Sequence, residues 1–179
     1  MKKILLLTCL GIFMAVGQAM ASKPIQLSLT PDIAIYSRTT RIEGLSLNIW
    51  GENPQSSLAL GFVNGFTGTS KGFSLGLLLN YSDSYKGFQL GCVNYTTGSM
   101  LGGQVGIVDY VEGSMKGVQF GGVNYAGHLK GVQIGIVNYA ASATTGIQIG
   151  ILNLIPTNKW FTNFPNEVAP GMVLVNWRF

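Results

Sequence analysis

The chain has 179 residues, of which only 10% are charged, and a formal net charge of +4. Soluble domains carry about a quarter charged residues, so much of this protein's surface is not expected to face water. The weak positive balance forms no basic stripe, which argues against a nucleic-acid partner, and beyond residue 21 no stretch is apolar over the ~20 residues that a membrane helix requires.

At the start of the chain, Lys2 and Lys3 precede an apolar run from Ile4 to Val16, and Ala19-Met20-Ala21 precedes Ser22. A basic start, a short apolar run and a small-residue site are the marks of a cleavable secretory signal over residues 1–21. Cys9 lies inside the apolar run and does not suit a lipid anchor. Residues 22–179 are expected to form one β domain, large enough for a core. Without Lys2 and Lys3 it holds 9 basic and 7 acidic residues, and its only cysteine is Cys92, so no internal disulfide can form.

The first strand is expected at residues 25–29, extending toward Ile35, and the second at residues 45–49. A repeat then takes over residues 57–154. Its clearest copies are Gly87-Phe-Gln-Leu-Gly-Cys-Val-Asn-Tyr95, Gly102-Gly-Gln-Val-Gly-Ile-Val-Asp-Tyr110, Gly117-Val-Gln-Phe-Gly-Gly-Val-Asn-Tyr125 and Gly131-Val-Gln-Ile-Gly-Ile-Val-Asn-Tyr139, followed by one from Gly146. Weaker copies begin at Ser57 and Gly72. The starts fall 15 residues apart with a single 14, a period too regular for chance. Apolar residues alternate within each copy, as Val132, Ile134 and Ile136 do against Gly131, Gln133 and Gly135, so each copy reads as a strand. Two glycines per strand mark close approach of another backbone or a tightly filled interior. The extra residue before Asn80 in the copy from Gly72 suggests a β-bulge. Thr97-Gly98-Ser99, Glu112-Gly113-Ser114 and Ala126-Gly127-His128 read as turns. A last strand is expected at residues 172–179.

About ten strands suit an antiparallel barrel with both termini at one end. Such a barrel would turn the apolar positions toward outer-membrane lipid, with Lys71, Lys86, Lys116 and Lys130 snorkelling at the rim. The alternative is a β-solenoid with 15 residues per coil, in which equivalent residues stack in parallel and Asn64, Asn94, Asp109, Asn124, Asn138 and Asn153 form a side-chain ladder. Identical turns on both sides would deny a barrel its stagger. The scarcity of charge nevertheless weighs for the barrel.

Val173, Val175, Trp177 and the terminal Phe179 alternate and end on an aromatic residue. This resembles the carboxyl-terminal assembly signal of outer-membrane barrel proteins, which implies handling by the barrel-assembly machinery through that strand. The G-x-Q-x-G-x-x-N copies resemble bacterial surface-repeat proteins of spirochaetes and other Gram-negative bacteria. That resemblance implies an outer-membrane or surface location and no particular chemistry.

The residues contain no motif for catalysis. His128, the sole histidine, has no carboxylate near it in sequence and reads as a solvated turn residue. No second histidine or cysteine cluster would complete a metal site, no nucleophile motif is present, and Gly102-Gly-Gln-Val-Gly lacks the strand-to-helix setting of a phosphate loop. No catalytic, cofactor-binding or metal residue is therefore named. Tyr95, Tyr110, Tyr125 and Tyr139 form an aromatic row, read as packing or an interfacial belt. The expected function is a non-catalytic structural or interaction protein of the outer membrane, with modest permeability at most. A secreted or surface solenoid with a ligand-binding or adhesive face is the alternative. Specific activity is expected outside the repeats, in residues 30–56, the turns, and residues 156–170 with Trp160, Phe161 and Phe164.

Overall fold

The computed structural model describes residues 22–179, and the signal expected over residues 1–21 lies outside them. Five strands follow in chain order: β1 (Lys23–Ser28), β2 (Ile42–Asn53), β3 (Gln55–Thr96), β4 (Met100–Leu154) and β5 (Gly171–Arg178). β3 and β4 hold 42 and 55 residues. At ~3.3 Å per residue, either would reach far beyond the span of a small domain if straight. Instead they wind. β3 and β4 pair in parallel with Gly87 beside Gly102, Gln89 beside Gln104 and Tyr95 beside Tyr110, a constant offset of 15 residues. β1, β2 and β3 also pair in parallel, and only β5 is antiparallel to its neighbour.

The fold is thus a β-solenoid of about 15 residues per turn, which corrects the expectation of a ten-stranded antiparallel barrel with transmembrane strands. Glu112-Gly113-Ser114 and Ala126-Gly127-His128 are not hairpin turns but bends within β4, whereas Thr97-Gly98-Ser99 does separate β3 from β4. The bends are made by a glycine column. Gly72, Gly87, Gly102, Gly117 and Gly131 have φ between 131° and 145°, and a Cβ on any of them would lie 1.9–2.0 Å from the carbonyl oxygen of the column member one coil below. Only glycine tolerates both that backbone angle and that approach.

Alternation then decides which residues go inside. Gln89, Gln104, Gln119, Gln133 and Gln148 are fully buried, and from Gln104 onward each Nε2 donates to the Oε1 one coil below at 2.7–3.0 Å. A second column, of asparagines with Asp109 among them, runs the other way, each Nδ2 donating to the Oδ1 one coil above except at Asp109. Between the columns pack Phe66, Tyr85, Met100, Met115, Leu129, Val111, Ala126 and Ala140. Burying an amide is costly unless it is bonded. In parallel coils each amide finds its own copy as donor and acceptor, which antiparallel neighbours would not supply in that register. The additional residue before Asn80 leaves Leu77 and Leu78 both exposed while Asn80 keeps its place in the column. This slip of alternation is the expected bulge.

Both ends of the winding sheet are covered, as exposed strand edges require. At the amino-terminal end, residues 29–41 fold back: Ile35 N donates to Leu27 O at 3.1 Å, and Gln26 both donates to Tyr36 O and accepts from Tyr36 N. At the other end, β5 pairs with the last coil, Gln148 beside Asn176 and Ile149 beside Val175. Residues 155–170 hold it there through the buried Val168 and Ala169 and through a 3.1 Å ion pair between Arg178 and Glu167. The carboxyl-terminal strand therefore exists, but it caps a solenoid and closes no barrel. With no barrel present, the expected partnership with outer-membrane lipid and the barrel-assembly machinery is withdrawn.

Candidate binding surface

The polar residues of the repeat point inward, so its apolar residues point out. Three positions after each corner glycine come Leu75, Leu90, Val105, Phe120, Ile134 and Ile149. Two positions further come Leu77, Cys92, Ile107, Gly122, Ile136 and Ile151. Coils stack ~4.8 Å apart, so each set forms a continuous row along the solenoid. Between the rows lies the second glycine column (Gly76, Gly91, Gly106, Gly121, Gly135 and Gly150), whose Cβ positions point inward, so that only backbone floors the space between the two rows. The result is a shallow apolar gutter. Ile107 is 64% exposed, Ile136 58% and Phe120 55%, values far from those of a packed core.

The gutter continues toward the amino terminus, through the first copy and beyond it. Leu27, Leu47 and Leu60 extend one row toward the amino terminus, and Leu29, Ile49 and Phe62 extend the other. There Ile33 and Ile35 of the folded-back segment close one side and deepen it into an apolar groove. At the opposite end, Leu152, Trp160, Met172 and Val173 line a further apolar depression. A contiguous exposed apolar surface on this scale marks an interaction site. Second-column glycines also serve the interior, since a Cβ on Gly135 would lie 2.2 Å from Gly121 O and 2.6 Å from Asn124 Nδ2.

Beside the gutter, the residue before each corner glycine projects outward. Lys71, Lys86, Lys116 and Lys130 occupy these places, all exposed, and Leu101 interrupts the rail. None of these lysines makes an ion pair within the described residues. They were expected at a membrane rim and instead line one edge of an extended apolar face.

The tyrosine row is a stack. Ring centroids of Tyr95, Tyr110, Tyr125 and Tyr139 are 5.5, 4.3 and 5.4 Å apart in turn, with interplanar angles of 22°, 7° and 4°. Their faces are occupied by one another, leaving edges and hydroxyls to solvent. The row cannot offer ring faces to a sugar along its length. Tyr95 Oη donates to Glu112, and that bond holds the phenol above its ordinary range. One coil earlier in the same row, Tyr81 receives the Trp50 indole N–H at 3.1 Å and donates to Glu52 at 2.5 Å. Burial, then the bond to Glu52, push its phenol up to about 12.

His128 lies in β4 rather than in a turn. Its Nδ1 is 2.9 Å from Ser142 Oγ and its Nε2 2.8 Å from Thr144 Oγ1, so both ring nitrogens are occupied by hydroxyls. Cys92 is exposed in the gutter wall. Among the described residues no three or more His, Cys, Asp or Glu side chains converge as metal ligands do. Trp160, Phe161 and Phe164 are exposed on the carboxyl-terminal cap, with Phe164 packed 6.3 Å from Trp177.

No family model, curated protein or solved structure matches this chain. The likeness of its copies to bacterial surface-repeat proteins, and of its last strand to barrel proteins, is accordingly not upheld. The expected role as an outer-membrane barrel fails with the fold. Sequence reasoning foresaw that the apolar positions point outward, but placed lipid against them and sought activity only outside the repeats.

Proposed function

We propose that this protein is an exported, non-catalytic β-solenoid that acts by adhesion, its apolar gutter being the binding surface for an apolar partner. The observation that carries this reading is the inversion of the repeat. Buried amide ladders and one apolar column from Phe66 through Tyr85, Met100 and Met115 to Leu129 hold the coils together, and the aliphatic and aromatic side chains of the two outer rows are left outside, where they add little to folding. A parallel stack repeats the same contact every ~4.8 Å, so weak contacts add along its length. Export is supported by the signal-like residues 1–21. The test is adhesion of the purified chain to hydrophobic and to hydrophilic latex beads. Leu90→Ser, Phe120→Ser and Ile136→Ser combined should abolish retention on the hydrophobic beads while the far-ultraviolet circular dichroism is unchanged. Unchanged retention would remove the gutter from the function.

A further inference from the structure

The asparagine ladder carries a break that the rest of the column explains. Its members are Asn48, Asn64, Asn80, Asn94, Asp109, Asn124, Asn138 and Asn153, all buried. From Asn48 to Asp109 each Nδ2 donates to the next Oδ1, at 2.9, 3.2, 2.8 and 2.7 Å in turn. Beyond the break, Asn124 donates to Asn138 and Asn138 to Asn153, both at 2.8 Å. Between Asp109 and Asn124 the amide donor is missing, because Asp109 carries an oxygen where its neighbours carry Nδ2. Asp109 Oδ2 and Asn124 Oδ1 are both buried without a hydrogen-bond partner.

The two oxygens flank one common point. The point where a Cβ on Gly121 would lie is 3.0 Å from Asp109 Oδ2 and 3.2 Å from Asn124 Oδ1. At Gly135 the corresponding point is 2.6 Å from Asn124 Nδ2 and 3.3 Å from Asn138 Oδ1, and there those two atoms share a 2.8 Å hydrogen bond. The repeat thus places a donor at Asp109 Oδ2 and an acceptor at Asn124 Oδ1. Two bare acceptors buried in those places would repel.

We propose that Asp109 is a neutral acid in the folded protein and donates its Oδ2–H to Asn124 Oδ1, so that one proton completes the ladder, and that losing this proton uncouples the two coils. Burial drives the carboxyl up to about 7, against the opposing pull of the hydrogen bond from Asn94 and of the backbone of Gly106 and Phe120. The groups facing it from the coils on either side are the amides of Asn94 and Asn124 and the backbone of Gly106, Phe120 and Gly121, none of them charged. Its neighbours Tyr110 and Glu112 lie on the outside. In the unfolded chain the same acid ionises near ~3.9. Between the two values the folded state holds a proton that the unfolded state has released, so stability falls as pH rises. The contribution is whole below pH ~4 and lost by pH ~7, about tenfold in the folding equilibrium constant per pH unit.

The experiment compares the wild-type chain with Asp109→Asn, which places there the residue found at every other position of the column. Urea unfolding from pH 4.5 to 8 should show the ratio of folding constants, variant over wild type, rising about tenfold per unit to pH ~7 and levelling there. The infrared difference spectrum between the two should contain a protonated carboxylic-acid carbonyl band at pH 5 that fades near pH 7. A ratio independent of pH, or a carboxylate band at pH 5, would overturn the proposal. So would selective stabilisation of the wild-type chain by added sodium or calcium at constant pH, since a cation would then bridge the two oxygens.

Discussion

Replacing Gly102 by alanine is the sharpest test of the winding. Its φ of 132° lies in a region that side chains rarely adopt, and the new Cβ would stand 2.0 Å from Gly87 O, 1 Å inside the 3.0 Å limit that real Cβ atoms respect. The backbone angle alone costs about 1–3 kcal/mol. Relieving the contact requires the two coils to part by about 1 Å, which stretches the flanking ladder bonds beyond hydrogen-bond range. Losing two or three of these at about 0.5–1.5 kcal/mol each brings the total to about 2–7 kcal/mol. Gly68 is the matched control: its φ is 61°, but nothing lies within 4 Å of its Cβ position. Gly68→Ala should therefore cost only about 1 kcal/mol, for the left-handed angle. Urea midpoints of both variants, read by circular dichroism at a common slope, supply the comparison. Equal midpoints would refute the claim that these glycines are demanded by the approach of adjacent coils.

Three further outcomes follow from the same geometry. Gln119→Ala removes a donor to Gln104 Oε1 and an acceptor of Gln133 Nε2, and should lower unfolding free energy by about 2–4 kcal/mol; a loss under about 1 kcal/mol would mean the ladder contributes little. Phe120→Ser and Ile136→Ser on the outer face should each shift stability by less than about 1 kcal/mol, and a larger loss by thermal melting would show that the gutter is packed in solution. Arg178→Ala leaves the buried Glu167 without its ion pair, although Lys159 N and Asn163 Nδ2 still donate to it. The cap of residues 155–170 should loosen, seen as faster hydrogen exchange there at unchanged exchange in the glutamine column. Uniform exchange across both segments would argue that the cap and the coils open together.

Much of the fold is legible in the residues, and the failures are instructive. Alternation assigned the first half of each copy to the correct side, with Gln133 in and Ile134 out, because the period of two depends only on the local backbone. Carried to the end of the copy, it would put Asn138 outside with Ile134 and Ile136 and turn Tyr139 inward, whereas Asn138 is buried and Tyr139 lies at the surface, so the alternation slips between Ile136 and Asn138. Two glycines per copy pointed to close backbone approach, and both columns have it. The Asn64 to Asn153 column was visible too, although Asn48 and Asn80 were missed because a 13-residue coil and a bulge displace them from the 15-residue spacing. What misled was charge. A tenth charged residues suggested lipid outside, whereas this interior is polar without charge, filled by Gln and Asn amides that satisfy one another. Scarce charge is therefore equally the signature of an amide-cored solenoid with an apolar exterior. At the site, Asp109 could be singled out as the one acid in an amide column, but its facing oxygen at Asn124 depends on which coil lies above.

By itself, then, the sequence determined the β class, the 15-residue period, the inner and outer sides of the first half of each copy and the need for glycine where backbones approach closely, because each rests on neighbours a few residues apart. Only the tertiary structure decided the partner of each strand. A 15-residue unit can pair with the next by reversing direction or by winding in parallel, and both satisfy the same alternation and the same backbone hydrogen bonds. The choice falls to contacts between residues one coil apart. In the parallel arrangement every buried glutamine and asparagine meets its own copy, and an antiparallel one would have left those amides unpaired.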